Sequence, residues 1–253
     1  MTQLCRTALK EFIGNSKNAH PGLLLSRGMV EMPEEGKKKK DHIEKLTGMG
    51  PSDLYKKALE RWEKITTDNG RFGRCEAALS GRLYIGVSRD NALETGVTVS
   101  HTYGMPMIPG SAVKGLCRAS AKEWEMDSDI RRWIFGNEQG EGEAEAGGLI
   151  FHDAWWVPGN GQGDRPFVLE TVTPHHQEYY GSLGEKPATD FDSPIPAPQI
   201  AVQGSFYFVV EGTQVVTGLA VSLLKKALSE RGIGGKRSSG YGFFNGSKDI
   251  ANV

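Results

Sequence analysis

A glycine-rich segment near the C-terminus holds the densest set of groups that could bind a phosphate. It reads RGIGGKRSSGYGFF and contains five glycines, with Lys236, Arg237, Ser238 and Ser239 between them. Glycines allow close approach of the backbone to a ligand, and the four side chains supply donors. A Walker loop would need glycine at Glu230 and Ser or Thr at Arg237, and the dinucleotide fingerprint also fails at Arg237. The segment therefore predicts polyanion binding, with a flexible hairpin as the alternative.

A second candidate anion site lies in the segment IPGSAVKGLCR. Pro109 and Gly110 lead into a predicted helix whose first turn offers unpaired backbone N–H groups, and Ser111 is the expected N-cap. Lys114 and Arg118, one turn apart, would add two cations to the positive end of the helix dipole. The pattern predicts a phosphate site. The alternative is an ordinary capped helix with solvated basic side chains.

Histidine, tyrosine and aspartate residues in three other segments could contact bases or move protons. In VTPHHQEYY, the adjacent His175 and His176 point in different directions in an extended chain, so they do not form a chelating pair. His175 and Tyr180 could stack on bases, or the imidazole could act as acid or base. His101 could contact RNA or simply pack. Asp90, in the turn-rich SRDNALETG, would need a metal or a positioned ribose to cleave RNA and is assigned no catalytic role.

Composition excludes several classes of protein. The net charge of −1 argues against a surface that coats nucleic acid everywhere, although local basic tracks remain open. Cys5, Cys75 and Cys117 lie far apart without a C-x-x-C pair, so neither a disulfide framework, a metal site nor a cofactor is predicted. With no membrane-length apolar run and no apolar signal core, a cytoplasmic protein is expected. The run Lys37–Lys40 among acidic residues is predicted to be a solvated loop.

The elements that must position these residues form an α+β pattern. Residues 1–70 are predicted to be a helical N-terminal extension, and residues 71–253 an RRM-like domain with inserted loops. The clearest early helix is DLYKKALERWEKI, with Ser52 as N-cap and Leu54, Ala58, Trp62 and Ile65 on the buried face. The later order is strand, helix, two strands, helix, strand, which is the βαββαβ arrangement of a ferredoxin-like or RRM-like core. The proline-rich DFDSPIPAPQ is predicted to be an extended loop rather than a strand.

The order of five segments carries a family resemblance. These are HTYGMPMIPGSAVKGLCR, GLIFHDAWWVP, VTPHHQEYY, SPIPAPQIAVQGSFYF and GIGGKRSSGYGFF. Together they resemble the RAMP superfamily, of which a glycine-rich loop near the C-terminus is the hallmark, and the resemblance spans about Gly73 to Phe244. It points to the type III-B CRISPR effector, the Cmr complex, and implies a modified RRM-like core with long insertions and a hairpin thumb between bases.

The resemblance also implies a function, site residues and partners. Such subunits stand on a filament and bind the guide RNA backbone, and the kind of subunit that this chain resembles is expected to be non-catalytic. The implied partners are guide RNA, target RNA and other Cmr subunits: the repeated backbone subunit four, subunit one and the small subunit five. The implied backbone contacts are Ser111, Lys114, Arg118, Lys236, Arg237 and Ser238, with His101, His175 and Tyr180 as further RNA candidates. Two alternatives stay open: a metal-independent RNA-processing endoribonuclease that uses His175 or His101, and an assembly scaffold that contacts only protein.

Overall fold

The computed structural model describes residues 19–30, 36–87, 93–137, 145–159, 165–173, 179, 181–182, 185–189, 194 and 196–249. The helices are α1 (Pro21–Arg27), α2 (Gly36–Thr47), α3 (Asp53–Ile65), α4 (Gly110–Glu123), α5 (Ser128–Phe135) and α6 (Gln214–Glu230). The strands are β1 (Phe72–Leu79), β2 (Met107–Ile108), β3 (Ile150–Phe151), β4 (Ala154–Val157), β5 (Phe167–Val172), β6 (Ala197–Val202), β7 (Ser205–Glu211) and β8 (Phe244–Asp249). No helix in this described part has the length and apolar character needed to cross a bilayer.

The main sheet confirms the predicted ferredoxin-like arrangement. Its strand order is β2-β4-β7-β1-β8, and β3 also pairs with β7. These pairings are all antiparallel. Four neighbouring strands, in chain order β1, β4, β7 and β8 with α4 and α6 between them, are the βαββαβ unit with strand order 4-1-3-2. The fold is therefore an α+β, modified ferredoxin-like core with insertions.

One face of the sheet packs against α4 and α6. Successive side chains of a strand point to opposite faces, so Phe206 and Phe208 of β7 share a face, and both rings contact Phe244 of β8. The same core takes Cys75 from β1 and Cys117 from α4, both buried free thiols. Burial raises the pKa of Cys117 to about 12, so this thiol stays protonated and serves as a small apolar side chain.

The opposite face of the sheet is covered by α3. The Tyr55 hydroxyl donates to the carbonyl oxygen of Trp156 at 2.6 Å, and Trp62 packs edge-on against Phe72 with ring centroids 6.4 Å apart. At the end of the helix, the Thr66 hydroxyl lies 2.6 Å from the hydroxyl of Tyr207 on β7. An RRM stacks bases on this sheet face. Here α3 occupies the equivalent surface, so the sheet residues beneath it are not open for stacking.

The predicted start of α3 is confirmed, but of its predicted apolar face only Ala58 and Trp62 are partly buried. The Ser52 hydroxyl accepts the N–H of Tyr55, as an N-cap does. Leu54 and Ile65, expected inside, are 64% and 54% exposed, while Tyr55 and Leu59 are buried. The two faces are adjacent on the helix. The buried face contains Tyr55, whose hydroxyl donates to Trp156 of β4.

Two further expectations about local structure are wrong. The run Lys37–Lys40 lies in α2 rather than in a loop, and Lys39 is buried there, which lowers its pKa through desolvation. The end of the proline-rich segment forms β6, which pairs with β5 in a second, two-stranded sheet. Pro198 is accommodated because an outer strand tolerates a residue without an N–H. The domain boundary at residue 70 stays a prediction, since α1, α2 and α3 contribute to the same apolar core as the sheet.

Candidate nucleic-acid interface

The glycine loop, residues 232–242, is held at its base by two backbone hydrogen bonds, one within the loop and one to Tyr84. The Ile233 N–H donates to the carbonyl oxygen of Gly242 at 2.9 Å, and the Gly235 N–H donates to that of Tyr84 at 2.7 Å. A Cβ on Gly234 would overlap the Tyr84 carbonyl, and one on Gly242 would overlap the Ile233 carbonyl. Packing of the chain against itself requires glycine at these two positions, while the predicted approach of a ligand to the loop backbone stays a prediction.

The tip of this loop presents the predicted basic side chains together. Lys236 adopts a left-handed conformation with φ 56°, residues Arg237–Ser239 form one 3₁₀ turn, and Gly240 returns the chain with φ 86°. Lys236, Arg237 and Ser238 are all exposed. The tip therefore holds two cations and a hydroxyl on a short, geometrically defined turn. Their contact with RNA stays a prediction.

A cluster of polar and aromatic side chains lies beneath the tip and was not predicted from the sequence. The rings of Tyr84 and Tyr241 lie 4.7 Å apart, and the Lys236 ammonium lies 5.9 Å from the Tyr84 ring. Glu170 of β5 accepts from the Nε of Arg82 at 3.1 Å and from the Tyr241 hydroxyl at 3.4 Å. Burial raises the pKa of Tyr84, so its phenol remains neutral. No local pattern links these residues, because they come from three distant parts of the chain.

The start of α4 corrects the second predicted phosphate site. The helix begins at Gly110, and its N-cap residue Pro109 makes no side-chain cap. The Gly110 N–H instead donates to Oδ1 of Asp153 at 2.7 Å. Ser111 is thus not the N-cap, and the end of the helix dipole already faces a carboxylate of the same chain. Ser111 is exposed and Lys114 partly exposed in the first turns of the helix, and their contact with RNA stays a prediction.

Replacing this cap gives a first testable prediction. We expect Asp153→Ala to lower the free energy of unfolding by about 1 kcal/mol, because the Gly110 N–H loses a charged acceptor. Urea denaturation followed by circular dichroism measures the change. Asp53→Ala, on an exposed residue of the first turn of α3 whose cap is Ser52, is the matched control and should change stability less. Equal stability of Asp153→Ala and the parent protein would contradict the capping role.

A groove joins the glycine loop to α4. Its walls are the loop with Arg231 and Arg237 on one side and the small residues Ala112, Gly115 and Ala119 of α4 on the other, enclosing about 260 Å³. Arg231 also forms an ion pair with Glu123 at the end of α4. The structure thus brings Arg237 to α4, but Lys236 and Lys114, both predicted backbone contacts, are not among the residues that line this groove. The second cation in the groove is Arg231, which was not predicted from the sequence.

The remaining predicted residues lie elsewhere. Arg118 lines a second cavity, between α4 and α5, and donates to the carbonyl oxygen of Gly136 at 3.3 Å. His101 is exposed, in a turn that precedes β2. His175, Tyr180 and Asp90 fall outside the described residues, so their roles stay predictions.

A βαββαβ core whose second helix is followed by a glycine loop that lies against the first helix defines a class of protein, and comparison with known families agrees. The family model for the RAMP superfamily matches residues 77–245. The chain belongs to the RAMP superfamily.

Individual relatives narrow the likeness to one kind of subunit. The chain is 27% identical to the CRISPR system Cmr subunit Cmr6 of Pyrococcus furiosus, over 87% of this chain and 82% of that protein. It is also 27% identical to the corresponding subunit of Saccharolobus solfataricus, over 66% of this chain and 55% of that protein. Among solved structures, a chain of the type III-B Cmr-beta bound to cognate target RNA aligns with a TM-score of 0.65 and 18% identity, covering 97% of this chain and 93% of that one.

Proposed function

We propose that this chain is the subunit-six component of a type III-B CRISPR effector and binds the guide RNA towards its 3′ end, together with the guide–target duplex. The likeness to Cmr6 across most of both chains supports the assignment to this subunit. Its partners would be guide RNA, target RNA and the subunits beside it, namely the repeated subunit four, subunit one and the small subunit five. The guide is held by contacts to phosphates and 2′-hydroxyls, while base pairing supplies sequence specificity.

The observation that carries the proposal is the groove between the glycine loop and α4. Arg231 and Arg237 face small α4 residues across it, and Lys236 and Ser238 stand on the adjoining exposed tip. Guanidinium groups match phosphate geometry with paired donors, and small side chains opposite let a ribose-phosphate strand approach the helix. Because α3 covers the sheet, the edge that carries the loop is the surface we assign to RNA.

The proposed role is binding without cleavage. Relatives of this chain are named as subunits of a larger complex, which fits a positioning role. An endoribonuclease would instead need an acid and a base held on both sides of a scissile phosphate. His101, a candidate for that role, stands on an exposed turn rather than in the groove.

Crosslinking within the assembled complex tests the proposal. A guide carrying 4-thiouridine near its 3′ end should crosslink, on irradiation, to the peptide that contains Lys236, Arg237 and Ser238. The same label near the 5′ end is the control and should not reach this peptide. Crosslinks only to other subunits would support the protein-only scaffold and contradict RNA binding at the loop.

Incubation with RNA separates binding from cleavage. The purified chain, mixed with repeat RNA in the presence of a chelator, should leave the RNA intact. Discrete products that disappear in His175→Ala would establish the endoribonuclease and overturn the non-catalytic role.

A further inference from the structure

A second basic cavity lies between α4 and α5, beside the groove already described. Its cations are Arg118 and Lys122 of α4 with Arg131 and Arg132 of α5, and the cavity measures about 310 Å³. One carboxylate, that of Asp129, lines it as well. With Glu145, which pairs with Arg132, four cations stand against two acids, and this excess of positive charge attracts an anion.

The composition of this cavity indicates what the anion is. Apart from the five charged residues, its lining consists of Ser128, Gly136 and Asn137, which are polar or glycine. A protein interface of high affinity has an apolar centre. The large apolar side chains of α5 that remain exposed, Ile130 and Trp133, do not line the cavity. This polar lining favours a phosphodiester over an acidic peptide.

Contacts within the cluster hold several of the guanidinium groups in place. The Nε of Arg131 donates to the Met126 carbonyl oxygen at 3.0 Å, and Arg118 donates to that of Gly136. Arg132 forms an exposed ion pair with Glu145 at 3.0 Å. An exposed pair of this kind is weak, so a phosphate could displace the Glu145 carboxylate from Arg132.

The exposed face of α4 connects this cavity to the glycine-loop groove. Ser111, Gly115 and Ala119 are all exposed and follow each other at intervals of four residues, so they form one row of small side chains. Gly115 and Ala119 line the loop groove, whereas Arg118 and Lys122, at the next positions around the helix, line the basic cavity. A strand that passes over this row would meet cations on both sides.

We infer that the cavity between α4 and α5 is a second phosphate site, occupied by the same RNA strand after it crosses α4 from the glycine loop. This inference rests on the proposed function and deepens it, because it adds a site and a path to the RNA contact. Arg118, predicted to bind phosphate together with Lys114 at the start of α4, belongs to this second site.

Three sets of substitutions test the second site in the full-length chain. The probe is a single-stranded oligouridine long enough to span both sites, and its affinity is measured at several salt concentrations. We expect Lys122→Gln with Arg132→Gln to weaken binding about tenfold and to lower the salt slope by about 1.4, since each phosphate contact on single strands contributes about 0.7. Glu145→Gln should strengthen binding of the oligouridine, because it removes the carboxylate that pairs with Arg132. Lys57→Gln with Lys64→Gln removes two exposed charges from α3 on the opposite sheet face and should change little.

The outcomes separate this inference from the proposed function. If Lys236→Gln with Arg237→Gln weakens binding while Lys122→Gln with Arg132→Gln does not, the loop site stands and the second site is overturned. If neither double substitution changes the affinity for RNA, both proposals are wrong. Loss of affinity for a glutamate-rich peptide with RNA affinity unchanged would assign the cavity to a protein partner and overturn the RNA site.

The path over α4 has its own test at Gly115, where a Cβ would meet no other atom within 4 Å. Gly115→Gln should raise the melting temperature, because glycine is unfavourable inside a helix, yet it should weaken RNA binding several-fold by filling the path. Gly218→Gln on α6 is the matched control: that glycine has equally open surroundings, and its replacement should stabilise the chain without affecting RNA. Unchanged RNA affinity in Gly115→Gln would overturn the path.

Discussion

In the double variant Lys236→Ala with Arg237→Ala, the affinity of the chain for single-stranded RNA is expected to fall about tenfold at low salt. Both side chains are exposed on the tip of the glycine loop, so their loss removes phosphate contacts rather than core packing. The plot of log affinity against log salt should become shallower by about 1.4, because two phosphate contacts fewer release fewer counterions. Fluorescence anisotropy over a salt series measures both quantities.

Two further variants determine whether charge or shape is responsible. Lys236→Gln with Arg237→Gln keeps much of the side-chain length and some donors but removes the charge, and the same loss of slope is expected. Lys57→Ala with Lys64→Ala removes an equal charge from α3 and should leave the slope unchanged. Melting curves of the two loop variants should coincide with that of the parent protein, since alanine, glutamine and lysine face a similar penalty at the left-handed φ of 56°. An unaltered affinity and slope in the loop variant would remove the loop from the RNA interface.

Some features of the fold and of the candidate site could be predicted from the sequence, and others could not. The βαββαβ order, the Ser52 cap and the exposed cations of the glycine loop follow from local patterns: strand and helix periodicity, a hydroxyl before a helix, and glycines around a basic tip. Local patterns have physical causes within a few residues, so one chain is enough to predict them.

The features that were missed depend on contacts between distant residues. Ser111 was the natural cap by position, but Asp153, 43 residues from Gly110, reaches the helix end because β3 and β4 turn beside it. The sequence also attributed the loop glycines to ligand approach, whereas the overlaps at Gly234 and Gly242 show that the chain itself fills that space. Neither the partner of a helix end nor the neighbour of a glycine is visible before the sheet is assembled.

That distinction between glycines leads to the prediction with the largest effect on stability. We expect Gly242→Ala to lower the free energy of unfolding by about 3 kcal/mol or more. Gly242 has a φ of 78°, and any Cβ there overlaps the Ile233 carbonyl, which cannot move away without breaking the closure of the loop base. For a chain of this length the melting temperature should drop by about 10 °C, as measured by differential scanning fluorimetry.

Gly240 provides a control two residues away, because its φ of 86° is equally positive but a Cβ added there would meet no other atom within 4 Å. Gly240→Ala should therefore cost only the conformational term, about 1 kcal/mol. Asparagine separates the two causes further, since it tolerates left-handed backbone better than alanine does. Gly240→Asn should be nearly neutral, whereas Gly242→Asn should remain as damaging as alanine because the overlap persists. Similar stability of the two asparagine variants would mean that the loop base yields to a side chain, and the loop would then be too pliable to hold its cations against an RNA strand.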